Sequence, residues 1–397
     1  MQQDALKRRI GPGLLTAYGV GVMVGAGIYV LTGAAAGAAG IWAPLSFLLA
    51  GIVVTPSALA FAELSARIPE AAGDSSYIEV GLQAHWLANV VGMINVIAGT
   101  VAAAAVLRGG VGYLTSIVDI PFNWGIVGLG VAMALIAIVG VLESLTFAAI
   151  LTVVEVFGLC LVIWAGMEAE PVADWVARPL PAIEWNGVVV ATIFAFFAFI
   201  GFDDIVNIAE ETRAPERTMP RAILGALAIT ALLYAMVSLA AVRAVPREVL
   251  GASERPLALV WEAGTGSSAV FLSAIAVAAA LNGVLAQMVM AARVLFGLGR
   301  RSKGFAPFCR AHPRFGTPVL GTVVVAAAVI GAALVLPVSF LAEITSQALL
   351  IVFAVVNAAL IGAKRRRPAS PFAVPAFVPW LGIAACLGTF IASLVGG

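Results

Sequence analysis

The sequence predicts an all-α polytopic membrane protein of about eleven transmembrane helices, and three observations carry that prediction. Of its 397 residues, 62% are apolar and 11% charged, with a mean hydropathy of +1.07. A water-soluble domain of ordinary composition carries about 25% charged residues, so this chain has too little polar surface to face water on all sides. The apolar residues also run in stretches near the roughly 20 that a bilayer core requires. Finally, Lys and Arg are divided unevenly between alternate loops.

Taken in order, the spans fall near 12–38, 41–62, 77–107, 123–141, 145–167, 187–210, 221–242, 267–298, 318–335, 338–361 and 375–395. The third and eighth are long enough to lie strongly tilted. With a cytoplasmic N-terminus, 16 of the 22 basic residues fall in inside segments: Arg67 and the clusters at 7–9, 213–221, 300–314 and 364–367. Five fall outside (Arg108, Arg178, Arg243, Arg247 and Arg255), and Arg293 lies within the eighth span. An odd number of spans then places the C-terminus outside. The polar start, Met1 to Arg9, leads straight into a long apolar stretch without a small-residue cleavage site, so the first span is expected to be retained. Loops are short, and the whole chain, 1–397, reads as a single membrane domain. The segment around Arg255 to Trp261 is expected to form a short surface helix.

Several functions are excluded at this point. A net charge of +1 does not suit a nucleic-acid binder. Cys160, Cys309 and Cys386 form no CxxC pair, leaving neither a disulfide framework nor a zinc site. Neither histidine sits in HExxH and no GxSxG occurs, so no catalytic residue, metal or cofactor is expected. His85, beside Trp86, reads as an interfacial anchor. A channel would show rings of charge or a filter, and none is visible.

Two spans carry features that an uninterrupted helix does not want. The first contains Gly19, Gly21, Gly25 and Gly27 within nine residues, each costing about 1 kcal/mol relative to alanine in a helix. Close helix packing through small residues explains one face. Glycines two apart point to different faces, and an unwound turn exposing backbone N–H groups fits them better. The sixth span contains Phe196-Phe-Ala-Phe-Ile-Gly-Phe-Asp-Asp204, placing two adjacent acids deep in an apolar run. Such residues normally face a cavity or a partner; alternatively, Asp203 N-caps a second half-helix that resumes after Gly201. The two breaks occupy equivalent places in two candidate five-helix units, the sequence signature of an inverted-repeat carrier. Half-helix N-termini offer N–H groups to a carboxylate, and freed carbonyls accept from an ammonium.

Gly21-Val-Met-Val-Gly-Ala-Gly-Ile-Tyr-Val-Leu-Thr-Gly33, Phe196 to Asp203, Ala209-Glu-Glu-Thr-Arg-Ala-Pro-Glu-Arg-Thr-Met-Pro220, Glu63 to Gly73 and Ala292 to Arg300 together resemble the amino acid–polyamine–organocation superfamily. Within it they are most similar to bacterial relatives of cationic amino acid transporters, and the likeness runs from about residue 10 to 365. The resemblance implies a five-plus-five inverted-repeat (LeuT-like) transporter fold: repeat one at 12–167, repeat two at 187–361, and an extra C-terminal helix at 375–395. It implies that a substrate carboxylate meets the N–H groups of Gly25, Ala26 and Gly27. The ammonium would meet carbonyls of Met23, Phe197, Ala198 and Ile200, with Asp203 nearby and Phe202 as an aromatic gate. The implied partners are a small-molecule amino acid or amine and membrane lipid, with transport either coupled to protons or by exchange; no nucleic-acid partner is expected.

Two positions depart from that pattern. Proton-coupled relatives carry a lysine in span five after a Thr-x-x pattern, whereas Thr152-Val-Val-Glu155 puts a glutamate here. Asp204 also stands where many relatives have a small residue. Glu155 lies about 15 Å from either interface, where ionising an isolated carboxylate is costly. Three roles stay open for it: proton-coupling group, counter-charge to a cationic substrate, or structural hydrogen-bonding residue. Asn95, Asn282, Gln287, Gln347 and Asn357 are expected to bond between helices, with one or two of them lining the pocket. The substrate reading is an amino acid; a polyamine or simple amine lacking a carboxylate is the alternative, favoured by Glu155, Asp203 and Asp204.

Overall fold

The computed structural model describes residues 10–68, 73–140, 145–301, 303–366 and 369–396. The side chains of Ala26, of 145–148, and of Arg301, Lys303 and 395–396 lie outside the description, as do Lys7, Arg8, Arg9 and Arg367. Among the described residues there is no strand, only one isolated bridge between Ile10 and Thr212. The helices are α1 (Pro12–Ala39), α2 (Ala43–Arg67), α3 (Gly73–Leu82), α4 (His85–Leu114), α5 (Phe122–Val139), α6 (Leu145–Glu168), α7 (Ala173–Val176), α8 (Trp185–Ala198), α9 (Pro215–Ala244), α10 (Arg247–Ala252), α11 (Pro256–Thr265), α12 (Val270–Arg301), α13 (Val319–Val335), α14 (Val338–Arg366) and α15 (Val378–Gly396). A 3₁₀ segment, Asp204–Glu211, follows α8 after a turn. α1, α2, α9 and α11 each carry proline in the first two positions, where its missing N–H costs nothing.

Each of the eleven predicted spans overlaps an α-helix, the sixth only as far as Ala198, where α8 ends. By length and composition, seven stretches are long and apolar enough to cross a membrane; the shorter apolar ones include Pro12–Gly25, Trp185–Ala198 and Val319–Val335. The third span needs correcting. It does not begin at 77, because α3 is a separate helix and Gln83, with φ 54°, turns the chain before α4 starts at His85. The surface helix expected near Arg255 is present as α11.

The outward side chains confirm lipid as the solvent. Ile52, Leu135, Val153, Leu232 and Ile391 are all exposed, a placement that water would penalise by about 25 cal/mol per Å². Trp86, Trp124, Trp185 and Trp380 are exposed within the first turns of α4, α5, α8 and α15, as expected for rings seated at the membrane–water interface.

Inside, the apolar side chains form two bodies. One is built mainly on α1, α2, α8, α9 and α14, the other on α4, α5, α12 and α13. α1 runs through the centre and touches α6, α8, α9, α10 and α12. The α2, α14 and α15 ends are tied by a buried carboxylate: Glu63 pairs with Arg67, lies 2.7 Å from Lys364 Nζ, and accepts from the Val374 N–H at 2.7 Å. Arg366 donates to the carbonyls of Val80 and Gly81, closing the end of α3 against α14. Asn357 donates to Ser57, linking α14 to α2, and Gln347 donates to Ser393 on α15.

Candidate functional site

Both predicted breaks are present, and they touch. In α1 the single non-helical residue is Gly25 (φ −12°, ψ −152°). α8 ends at Ala198; Gly201 follows with φ 118°, a conformation that costs a residue with a Cβ far more than glycine. Its Cα faces Val22, and an added Cβ would come within 2.7 Å of the Val22 side chain. Gly27 backs onto Ala198, where a Cβ would lie 3.0 Å from the Ala198 Cα. The two interruptions therefore cross at van der Waals contact.

The glycine reading of α1 is corrected in one respect. There is no extended unwound turn: Gly25 alone breaks the helix, and nothing lies within 4 Å of where its Cβ would point. The other three are contact glycines, each against a different neighbour: Gly19 against Ile205 and Ala226, Gly21 against Thr152 of α6, and Gly27 against α8. Because α1 is enclosed on all sides, small residues are needed on several faces, and alternation reflects packing as well as the break.

Beside the crossing lies a cavity of about 630 Å³ between the two apolar bodies. Tyr18 and Val22 of α1, Ile200, Asp203 and Asp204 line one wall; Asn95 and Gly99 of α4 with Gln287, Met290 and Arg293 of α12 line another. Asp74 of α3 and Glu211 complete it. Asn95 donates to Asp74 at 2.9 Å, and the Gln287 amide lies 3.5 Å from Asp204. The carboxylates of Asp74, Asp203 and Asp204 are close enough to act electrostatically on one another. The Asp203 carboxylate accepts from the Gly201 N–H at 3.0 Å. It thus secures the break itself, rather than reaching forward to cap the 3₁₀ segment.

The predicted residues separate into three groups. Ile200 and Asp203 reach the cavity. Met23, Phe197 and Ala198 are buried at the crossing with Gly25 and Gly27, and the helical backbone of Ala26 runs between those two glycines. Phe202 departs from its expected place as a gate: it is fully buried among Phe61, Phe353 and their neighbours, 5.5 and 5.1 Å from those two rings, and does not line the cavity. A bulky apolar ring gains more from that cluster than from a wall of carboxylates. Of the five amides, Asn95 and Gln287 are the ones that line the cavity. Asp74 and Arg293 were not anticipated as site residues. The available signal for Asp74 was an acid directly after Gly73, at the head of a short helix.

Glu155 is fully buried on α6. Its backbone carbonyl accepts from the Tyr29 hydroxyl at 2.9 Å. The Tyr113 hydroxyl donates to the Tyr29 carbonyl at 2.7 Å. The Tyr234 hydroxyl lies 2.6 Å from the Met23 carbonyl and 2.8 Å from that of Ala198. Two of the four carbonyls expected to receive an ammonium thus already share one hydroxyl.

Comparison with known proteins agrees with this architecture. The family model described as amino acid permease matches residues 14–396. The branched-chain amino acid permease BcaP of Bacillus subtilis is 26% identical over 97% of this chain and 88% of its own length. The methylthioribose transporter of the same organism is 28% identical, over 95% and 86%. The vacuolar cationic amino acid transporter 4 of Arabidopsis thaliana is 31% identical over 86% of this chain, which spans 61% of that longer protein.

Proposed function

This chain belongs to the amino acid permease family, and from that premise we propose that it is an alternating-access carrier of an amino acid, built on two inverted five-helix repeats. It is a multi-pass membrane permease, and its relatives are transporters rather than enzymes. The observation that carries the finer reading is the contact between the two breaks, Val22 on Gly201 and Gly27 on Ala198, beside a cavity of about 630 Å³. A helix interrupted at Gly25 offers N–H groups on its C-terminal side, suited to a carboxylate. Carbonyls released near Met23 and Ala198 suit an ammonium. Both ends of a zwitterion are then met by backbone, leaving the cavity to select the side chain.

Repeat one occupies 12–167, repeat two 187–361, and α15 is the added helix. Movement of the body containing α1 and α8 against the body containing α4 and α12 would open the cavity alternately to the two sides. The face carrying Arg67, Lys364 and Arg366 is the cytoplasmic one, by the bias of basic residues. Glu155, buried beside the first break, carries the coupling proton in this reading.

A second reading has one observation in its favour. Among the described residues, the cavity wall holds Asp74, Asp203, Asp204 and Glu211 against one cation, Arg293. Carboxylates so placed favour a cation among them, which suits a polyamine or simple amine. Counterflow in proteoliposomes, with amino acids, their decarboxylated amines and methylthioribose as competitors, separates these. Inhibition by amino acids but not by the matching amines is the expected result; inhibition by the amines alone would replace the first reading with the second.

A further inference from the structure

The apolar part of α9 is bounded by arginine at both ends. Its charge-free run, from Ala222 to Val242, is about 30 Å long at 1.5 Å per residue, the thickness of a hydrocarbon core. Arg243 ends the run on one side, where its guanidinium donates to the Gly166 and Ala169 carbonyls. Arg221 ends it on the other, with Arg217 one turn further out, at the depth of lipid headgroups. Arg213 lies just before the helix. All three of these side chains are exposed. Arg67 and Lys364, by contrast, are taken up by Glu63, and Arg366 by the Val80 and Gly81 carbonyls.

At 100° per residue, Arg217 and Arg221 share a face of α9 with Ala228 and Leu232. Those two are exposed as well, Leu232 by 66%. One face thus runs from guanidinium groups directly to lipid-covered side chains, as a phospholipid runs from headgroup to acyl chain. The opposite face, with Ile223, Ala226 and Tyr234, is fully buried, Ala226 beside Gly19 of α1 and Tyr234 against Phe47 of α2. Glu216, next to Arg217 in sequence, lies about 100° round the helix from it. The segment carrying Arg213 also holds the start of α1. Ile10 donates to the Glu211 carbonyl at 3.1 Å and accepts from the Arg213 N–H at 2.9 Å.

We propose that Arg213, Arg217 and Arg221 form the headgroup site of one anionic phospholipid, its phosphate held by Arg217 and Arg221 and its acyl chain laid along Ala228 and Leu232. Side chains four apart on a helix start about 6 Å from one another, so both guanidinium forks reach a single phosphate. A zwitterionic lipid offers the same phosphate but brings its own cation, which the arginines repel; the site therefore selects net negative charge. A lipid seated there braces the segment on which α1 begins. The site depends on the membrane crossing alone, not on which solute is carried.

Native mass spectrometry of the detergent-purified protein, titrated with phosphatidylglycerol or phosphatidylcholine, tests this. The wild type is expected to retain phosphatidylglycerol in preference, with one molecule bound most tightly. Arg217→Gln/Arg221→Gln is expected to weaken that first binding about tenfold or more, since each arginine at a membrane surface contributes about fivefold. Arg310→Gln/Arg314→Gln removes the same charge from the exposed loop before α13 and should leave the first binding within about twofold. Thermal unfolding gives a second readout: phosphatidylglycerol should raise the wild-type midpoint more than phosphatidylcholine does, and Arg217→Gln/Arg221→Gln should lose that difference. In phosphatidylcholine alone this variant should unfold with the wild type, because both side chains are exposed. Equal weakening in the two double variants would mean a diffuse effect of charge, and equal retention of both lipids by the wild type would mean no headgroup site. Either result overturns the proposal.

Discussion

Gly21 and Glu155 show how closely α1 and α6 are fitted. The Cβ of any larger residue at 21 would overlap the Thr152 hydroxyl, so Gly21→Ala is expected to destabilise the protein by about 1–3 kcal/mol, the usual cost of overpacking. Thermal unfolding should register that loss, and Thr152→Ala in the same chain should recover most of it. No recovery would mean that the helices are not in contact at this point. One turn further along α6, Glu155 is buried where a charge is expensive. If it carries the coupling proton, Glu155→Gln should bind substrate yet lose the pH dependence of uptake, because an amide has no titrating proton. Uptake in this variant that still rises and falls with pH would remove the proton role and leave the counter-charge and structural readings.

Among the elements, the junction of α2, α14 and the segment before α15 is the strongest candidate for a rigid anchor. Glu63 is fully buried and serves Arg67, Lys364 and the Val374 N–H together. Glu63→Ala removes the acceptor from all three, and breaking a buried pair by deleting one partner typically costs about 3–5 kcal/mol. Lys364→Ala leaves Glu63 with Arg67 and Val374, and Lys364 is itself 18% exposed, so the smaller loss is expected there. Unfolding curves that rank the two variants the other way would contradict this division of roles. The third span illustrates why boundaries were harder to read than helices. Residues 77–86 include Glu79, Gln83 and His85 and are less apolar than 87–107, but an average over about twenty residues blends the two stretches and hides the turn at Gln83.

At the scale of the molecule, long-range contacts sort the loops into two faces. Arg366 meets the end of α3, and Ile10 meets Glu211 and Arg213, all within segments read as inside. Arg243 donates to the Gly166 and Ala169 carbonyls at the end of α6, and Trp42 donates to the Pro181 carbonyl, both at the span ends read as outside. The cavity lining includes Tyr18, Asp74 and Asn207, and Asn207 lies in the 3₁₀ segment that ends at Glu211, one of the contacts of the first face. With Cys160, Cys309 and Cys386 replaced, a cysteine at Asn207, which is exposed, should react with a membrane-impermeant thiol reagent from that face only, and more slowly when substrate is bound. Labelling from the opposite face would reverse the assignment of sides.

The sequence by itself determined the solvent, most of the helices and the positions of both interruptions, and it predicted a grouping of the loops into two sides. These follow from quantities that are local and additive: apolar length, basic residues per loop, and a glycine or acid where a helix tolerates neither. Only the tertiary structure decided which residues the interruptions bring together. Phe202 went to an aromatic cluster, Asp74 came in from a short helix outside the spans, and Tyr234 placed one hydroxyl on both breaks. None of these is legible along the chain, because each depends on which faces of separate helices meet, and residues 23, 198 and 234 become neighbours only once three helices have packed.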